Sequence, residues 1–279
     1  MADHCFGGNA VLPTVSATNW MVSVCESLYP GYRFFAYDNY KLFKGIVFDG
    51  KQNDEVTMDV EETQYQHDAV SVSVKVWSTN PKGFRVNHYA AELSLVQKVP
   101  SVDVDARLAV DTGKAPIEQQ SPYVDGTLFH GASFQGIKNI VLQDDKTLQL
   151  RCEAPVVGKL DQGQFAIGST NPFVDDLYYQ AMLVWVRRTS GKGSLPTSAV
   201  RCELYSNVPV DTEFYVTLEV VNSQATNMSA NVTFHSAEGE VYSRLTGAEV
   251  TISEALNPLF LQNEVNNQRV KEKGKVGIA

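Results

Sequence analysis

No stretch of the 279-residue chain approaches the ~18 uninterrupted apolar residues of a membrane-crossing helix, and its start lacks a basic stretch followed by an apolar one. These absences argue against an integral membrane protein and against secretion. Positive charge is also scarce: 23 Lys and Arg stand against 32 Asp and Glu, a formal net charge of −9. Phosphate-backbone binding takes clustered Lys and Arg, and the runs present, Arg187-Arg188 and Arg269 to Lys275, are short. No nucleic-acid partner is expected. The four cysteines, Cys5, Cys25, Cys152 and Cys202, stand singly, without the paired spacing of zinc sites. No metal is expected, and reduced thiols in a cytoplasmic protein follow. No glycine-rich phosphate loop is visible, so no nucleotide or other cofactor is expected. Two Asn-x-Ser/Thr triplets, at Asn227 and Asn231, read as chance matches. Apolar residues are not scarce. They make up 43% of the chain against 20% charged, too apolar for disorder and long enough for about two domain-sized units.

Most of the sequence alternates with period two, as half-buried strands do; Val70 to Trp77, Thr147 to Cys152 and Phe214 to Val221 are the clearest runs. Two segments read as helices. The first spans about Pro13 to Leu28, with Val15, Met21, Val24 and Leu28 at helical spacing and Pro30-Gly31 as its stop. The second spans about Pro172 to Arg188, with Asp175 and Asp176 in the first turn and Arg187-Arg188 in the last, an order that suits the helix dipole. Each helix precedes a similar pattern: a Leu-aromatic step, an acid about six residues on, then an alternating strand with an acid inside. The repeat predicts an α+β fold of two hotdog units in tandem, each a long helix wrapped by an antiparallel sheet. The expected boundaries are residues 1–100 for the first unit, 101–125 for a linker rich in Pro, Asp and Gln, 126–255 for the second unit, and 256–279 for a polar tail.

Four motifs stand out. His4, Gly8 and Pro13 fit His-x3-Gly-x4-Pro; Pro172, Asp176 and Gln180 fit Pro-x3-Asp-x3-Gln. Between them lies the segment from Leu128 to Gly136, and beyond them the one from Leu195 to Arg201. In this order the motifs resemble the dehydratase domains of modular polyketide synthases, closest to the dehydratase-like domain of polyunsaturated-fatty-acid synthases. The resemblance spans roughly His4 to Thr251. It implies a tandem hotdog whose one active site takes His4 from the first half and Asp176 from the second. It further implies a multienzyme partner set and a substrate carried on the phosphopantetheine arm of an acyl carrier protein. Members of that family usually carry a strand upstream of the histidine. This chain starts three residues before His4, so the expectation is a missing strand, an exposed sheet edge and a loosely oriented histidine.

The implied reaction, loss of water from a 3-hydroxyacyl thioester, needs a base, an acid and donors for the thioester oxygen. His4 titrates near operating pH and is the expected base. Gly8, without a side chain, lets the thioester approach backbone N–H groups near the helix start that Pro13 fixes. Asp176 is the expected acid, provided an apolar surrounding raises its pKa. Gln180, one turn on, orients it. Asp175 lies off that face and is assigned a dipole role. His130, Gly131 and Phe134 fall where the broader family carries Tyr-Gly-Pro-x-Phe; a turn or a tunnel wall are both open readings. His67, His88 and His235 are expected at the surface or on strand faces. An isomerase moving a double bond, a thioesterase and an inactive scaffold remain alternatives. An acidic chain meeting an acidic carrier protein requires local basic residues, for which Arg187, Arg188, Lys192, Lys82 and Arg85 are the candidates.

Overall fold

The computed structural model describes residues 3–49 and 55–260. In chain order its elements begin with β1 (Cys5–Phe6), β2 (Asn9–Val11), α1 (Thr14–Leu28), β3 (Arg33–Leu42) and β4 (Val47–Phe48). The strands β5 (Thr57–Tyr65), β6 (Ala69–Thr79) and β7 (Arg85–Val96) complete the first half. The second half contributes β8 (Ile137–Gln143), β9 (Thr147–Glu153), α2 (Pro172–Asp175) and α3 (Leu177–Ser190). It ends with β10 (Gly193–Leu204), β11 (Glu213–Ser223), β12 (Asn227–His235) and β13 (Val241–Ser253).

Alternation builds the sheet. In β6, Val70, Val72, Val74 and Val76 point to one side and are at most 1% exposed, while the residues between them face outward. Leu148, Leu150 and Cys152 do the same in β9. Ten strands form one antiparallel sheet in the order β5-β6-β7-β3-β10-β13-β12-β11-β9-β8, and β1-β2-β4 form a small second sheet. The two halves meet where β3 pairs with β10, from Lys41 opposite Ser198 to Ala36 opposite Glu203. Arg201 bridges this seam, its Nη1 donating to both carboxylate oxygens of Asp38 at 2.8 and 2.7 Å.

Long helices laid on antiparallel strands give the molecule its hotdog-type character. The residues of α3 from Leu177 to Val186 are all buried, as expected of a helix enclosed on every side. Gly191, in the left-handed conformation at φ 69, closes α3 by donating to Arg187 O. The apolar face of α1 differs from the expected one. Val15 and Met21 are buried together with Val22 and Cys25, whereas Val24 is 39% and Leu28 57% exposed; Val24 lies about 200° around the helix from Val22, on the solvent side.

The second helix is interrupted rather than continuous: α2 ends at Asp175 and α3 starts at Leu177, with Asp176 at the junction. Asn171 caps α2 by accepting Phe173 N–H, and Pro172 occupies its first turn. Leu256 and Phe260, at the start of the segment expected to be a polar tail, pack on the core, and Phe260 is 2% exposed. Residues 261–279, with the Arg269 to Lys275 run, lie outside the described residues. Of the two places expected for His88 and His235, the strand face holds: they sit on β7 and β12 and are buried. Each is held at both ring nitrogens, His88 by Ser78 and the Lys44 carbonyl, His235 by Thr217 and the Ser236 carbonyl; such bonds offset the cost of burying a polar ring.

Candidate active site

A cavity of about 370 Å³ opens between the halves, lined mainly by apolar side chains such as Phe6, Leu12, Phe129, Leu183 and Leu195. His4, His130 and Asp176 form its polar wall. Among the described residues these three are the one group of His, Cys, Asp or Glu side chains whose donor atoms all lie within 4.8 Å of one another. His130 Nε2 lies 3.1 Å from Asp176 Oδ2, so two of the three already contact each other directly.

The β1–β2 hairpin holds His4 firmly, contrary to the loose orientation expected from a missing strand. Val11 N–H donates to the His4 carbonyl at 3.0 Å, and His4 Nδ1 lies 2.9 Å from the Val11 carbonyl. A carbonyl only accepts, so Nδ1 carries the proton and Nε2 keeps its lone pair. Burial pushes the His4 pKa down to about 4, although the nearby Asp176 charge pulls it upward. The imidazole is therefore neutral at physiological pH.

Asp176 sits at the start of α3, where a carboxylate is favoured by the dipole. Its Oδ2 accepts from Gln180 Nε2 at 2.8 Å and lies 3.1 Å from His130 Nε2. Burial alone would raise its pKa; the His130 hydrogen bond and charge, the nearby His4 and the Gln180 amide outweigh it and leave the carboxyl below its usual range. This reverses the expected upward shift. The apolar surroundings are there, but the donors that converge on one oxygen favour the charged form more strongly.

Gln180 itself is fixed by a residue that no motif marks. Gly136 and Ile137 N–H donate to Tyr123 Oη at 3.1 and 3.2 Å, and the Tyr123 hydroxyl donates to Gln180 Oε1. Gln180 Nε2 then points its protons at Asp176 and at the Phe134 carbonyl, 2.9 Å away. Tyr123 lies in the segment expected to be a linker, where no periodicity distinguishes it. A second unforeseen contact joins the chain start to the His130 loop. Asp3 O accepts Gly131 N–H at 2.8 Å, and the Asp3 carboxylate accepts Ser133 N–H at 2.9 Å and the Ser133 hydroxyl.

The remaining expected residues fall in different places. Gly8 does not reach the cavity wall; it is exposed at the tip of the β1–β2 hairpin with φ +80, a turn conformation that suits glycine. Pro13 precedes α1 and its carbonyl accepts from Ser16 and Ala17 N–H, while its neighbour Thr14 lines the cavity. Phe134 is 3% exposed and backs the two histidines, its ring centroid 5.7 Å from that of His4. Gly131 is the site of close approach to Asp3, and a Cβ there would lie 2.3 Å from Asp3 Oδ1. Asp175 is not a simple surface charge. It faces a smaller cavity beside Tyr178 and Cys202, and burial raises its pKa to about 7.

Three of the five basic candidates already have partners. Arg188 binds Glu118 and Gln143, Arg187 stacks 5.3 Å over the Phe260 ring, and Arg85 lies 4.4 Å over Trp77 while bonding Asp59. Lys82 is exposed and Lys192 half-buried.

Comparison with known proteins supplies the family. A profile described as the polyketide synthase dehydratase N-terminal domain matches residues 105–259, a span that holds His130, Asp176 and Gln180. A polyunsaturated fatty acid synthase polypeptide of a Thraustochytrium species is 34% identical over 249 residues, covering 86% of this chain and 8% of that protein. The chain thus spans only a small part of the relative it matches. In fold, the dehydratase domain of RzxB from Pseudomonas fluorescens superimposes with a TM-score of 0.69 at 14% identity, covering 90% of this chain and 89% of the other. The dehydratase domain from the CurF module of the curacin polyketide synthase gives 0.66 at 17% identity, covering 90% and 88%. With a match over more than half its length, and with His4 from one half and Asp176 from the other at one cavity, the chain belongs to the polyketide synthase dehydratase family.

Proposed function

We propose that this chain removes water from 3-hydroxyacyl thioesters carried on an acyl carrier protein, as a module of a cytoplasmic synthase making polyketides or polyunsaturated fatty acids. Its architecture on this reading is a tandem double hotdog, with units at residues 1–100 and 126–255 joined through 101–125. The observation that carries the reading is the meeting of a neutral His4 from the first half with Asp176 from the second at the polar wall of an apolar cavity. His4 Nε2, its lone pair free, takes the C2 proton. The Asp176 carboxylate, held by Gln180 and within hydrogen-bond reach of His130, faces the 3-hydroxyl and directs the proton delivered to it as the C3–O bond breaks and water leaves. The cavity wall formed by Phe129, Leu183 and Leu195 excludes solvent around the chain. The first-turn amides of α1, next to the cavity-lining Thr14, are the backbone donors offered to the thioester oxygen.

Mass spectrometry of a 3-hydroxyacyl pantetheine thioester after incubation tests this. A loss of eighteen mass units that disappears in His4→Ala and falls about 10²–10⁴-fold in Asp176→Asn supports it. A shifted alkene would instead mark an isomerase, a free acid a thioesterase, and no change a scaffold.

A further inference from the structure

Elimination consumes one proton at the leaving hydroxyl in each turnover. Yet the two N–H donors on Asp176 Oδ2 and its place at the start of α3 hold the carboxyl in its charged form. The polarity of this network is set from the backbone outward. Two peptide N–H groups fill the acceptor side of Tyr123; of its two acceptors, Gln180 Oε1 at 2.5 Å is nearer than the Phe134 carbonyl at 3.2 Å and takes the proton, so Gln180 presents N–H to Asp176. A carboxylate so held has no proton of its own to give.

We propose that His130 holds that proton, and that the acid of the reaction is the His130–Asp176 pair rather than Asp176 alone. The inference rests on the dehydratase reading above. His130 is buried, 6% exposed, and its Nε2 is within hydrogen-bond reach of the same oxygen that Gln180 fixes. Its loop is clamped on both sides, by Gly131 N–H to Asp3 O and by Gln135 Nε2 to the His130 carbonyl at 2.9 Å.

The other titratable groups around the pair do not serve. His4, with ring centroids 5.4 Å from His130, is the base. Asp175 is turned to the smaller cavity. The Tyr123 and Tyr179 hydroxyls are pushed far up by burial and stay protonated. Lys44 lies on the cavity wall beside Leu42 and Gly45, on the stretch of chain that carries β3 into β4, and its carbonyl holds His88.

In the step, the C2–H bond breaks and its proton joins His4 Nε2. The His130 Nε2–H bond breaks, its proton moves to Asp176 Oδ2 and on to the 3-hydroxyl, and the C3–O electron pair leaves with the oxygen as water. His4 ends as imidazolium and His130 as neutral imidazole. Return of the proton from His4 Nε2 by way of the Asp176 carboxylate to His130 Nε2, the three groups having donor atoms within 4.8 Å of one another, restores the resting state. His130 acts through Asp176 and is a positioning and proton-holding residue.

The test separates proton holding from simple hydrogen bonding. In His130→Gln an amide N–H replaces the imidazole donor without a titratable proton. The proposal requires kcat to fall about 10²-fold or more and the alkaline limb of kcat/KM to move by more than one pH unit. Near wild-type turnover with an unmoved limb would overturn it. His130→Asn serves as a second variant should His130→Gln fold poorly. Independently of turnover, ¹⁵N NMR of the His130 ring in the full chain at pH 7 should show both ring nitrogens protonated in the wild type and one of them bare in Asp176→Asn, because the ion-pair partner is lost. A bare ring nitrogen in the wild type sinks the proposal. A wild-type protein that fails to release water sinks the dehydratase reading and the catalytic role with it. An active wild type with an indifferent His130→Gln sinks the His130 role alone.

Discussion

Gly131→Ala is a one-methyl change with a large expected effect. The Gly131 backbone is ordinary, with φ −76, so strain in the turn is not the cause. The new Cβ would lie 2.3 Å from Asp3 Oδ1, 2.5 Å from Asp3 Cγ and 2.7 Å from Asp3 Cβ. Turning the Asp3 side chain relieves the first two contacts but not the third, which is fixed to the backbone. Carbon atoms sit best at about 3.5–4.0 Å, so the two strands of chain must separate by nearly an ångström. Asp3 precedes His4 and Gly131 follows His130, and both imidazoles move with them. A misplacement of about 1 Å costs about 10²-fold in rate. Losing the two Ser133 bonds to the partly exposed Asp3 carboxylate costs about 2 kcal/mol, or about 5 °C in Tm for a chain of this size. Turnover of a 3-hydroxyacyl pantetheine thioester and a thermal melt measure the two effects. The double variant Asp3→Gly/Gly131→Ala removes the clash and should recover rate relative to Gly131→Ala. Unchanged turnover and Tm in the single variant, or no recovery in the double, would refute the reasoning.

Three further outcomes follow from the same network. The His4 pKa is 6.5 in the unfolded chain and about 4 when folded, so its contribution is complete above pH 6.5 and is lost as pH falls from 6.5 to 4, in total about 3 kcal/mol. Urea unfolding across that window should show a shallower loss for His4→Gln than for the wild type, and parallel curves would contradict the burial of a neutral ring. Asp175, raised from 3.8 to about 7 by burial, works in the opposite sense: stability falls as pH rises through that window. Asp175→Asn should therefore melt higher than wild type at pH 8 and not at pH 3.5, as read by calorimetry at the two values. Tyr123→Phe removes the hydroxyl that fixes Gln180 and should lower kcat about tenfold with little change in KM, similar to Gln180→Ala; a pure KM effect would place Tyr123 in binding instead.

Much of this is legible in the sequence, for identifiable reasons. Strict alternation in Val70 to Trp77 and Thr147 to Cys152 locates strands, and Pro13 and Pro172 mark helix starts, because these signals depend only on neighbouring residues. The i, i+4 relation of Asp176 and Gln180 gives a correct contact for the same reason. What cannot be read depends on partners distant in the chain. The downward shift of Asp176 comes from His130 and His4; the role of Tyr123 comes from the β8 backbone and Gln180; the constraint on Gly131 comes from Asp3. Gly8 shows the converse, since glycine spacing alone does not tell a hairpin tip from a ligand-facing amide. The burial of His88 and His235 escapes the sequence because alternation does not reveal that Ser78 or Thr217 waits on the neighbouring strand.

The seam between β3 and β10 also bears on how the protein acquires activity. His4 belongs to one side of that seam and Asp176 to the other, so no partly folded half contains a working site. Each half closes many of its contacts within its own stretch of chain, whereas β3–β10 pairing brings together segments far apart in sequence and carries the larger loop-closure cost. During refolding, strand and helix signals should therefore recover ahead of turnover, and catalysis becomes a reporter for the last interface to form. Weakening the Arg201–Asp38 bridge should delay activity more than it delays the optical signal of secondary structure.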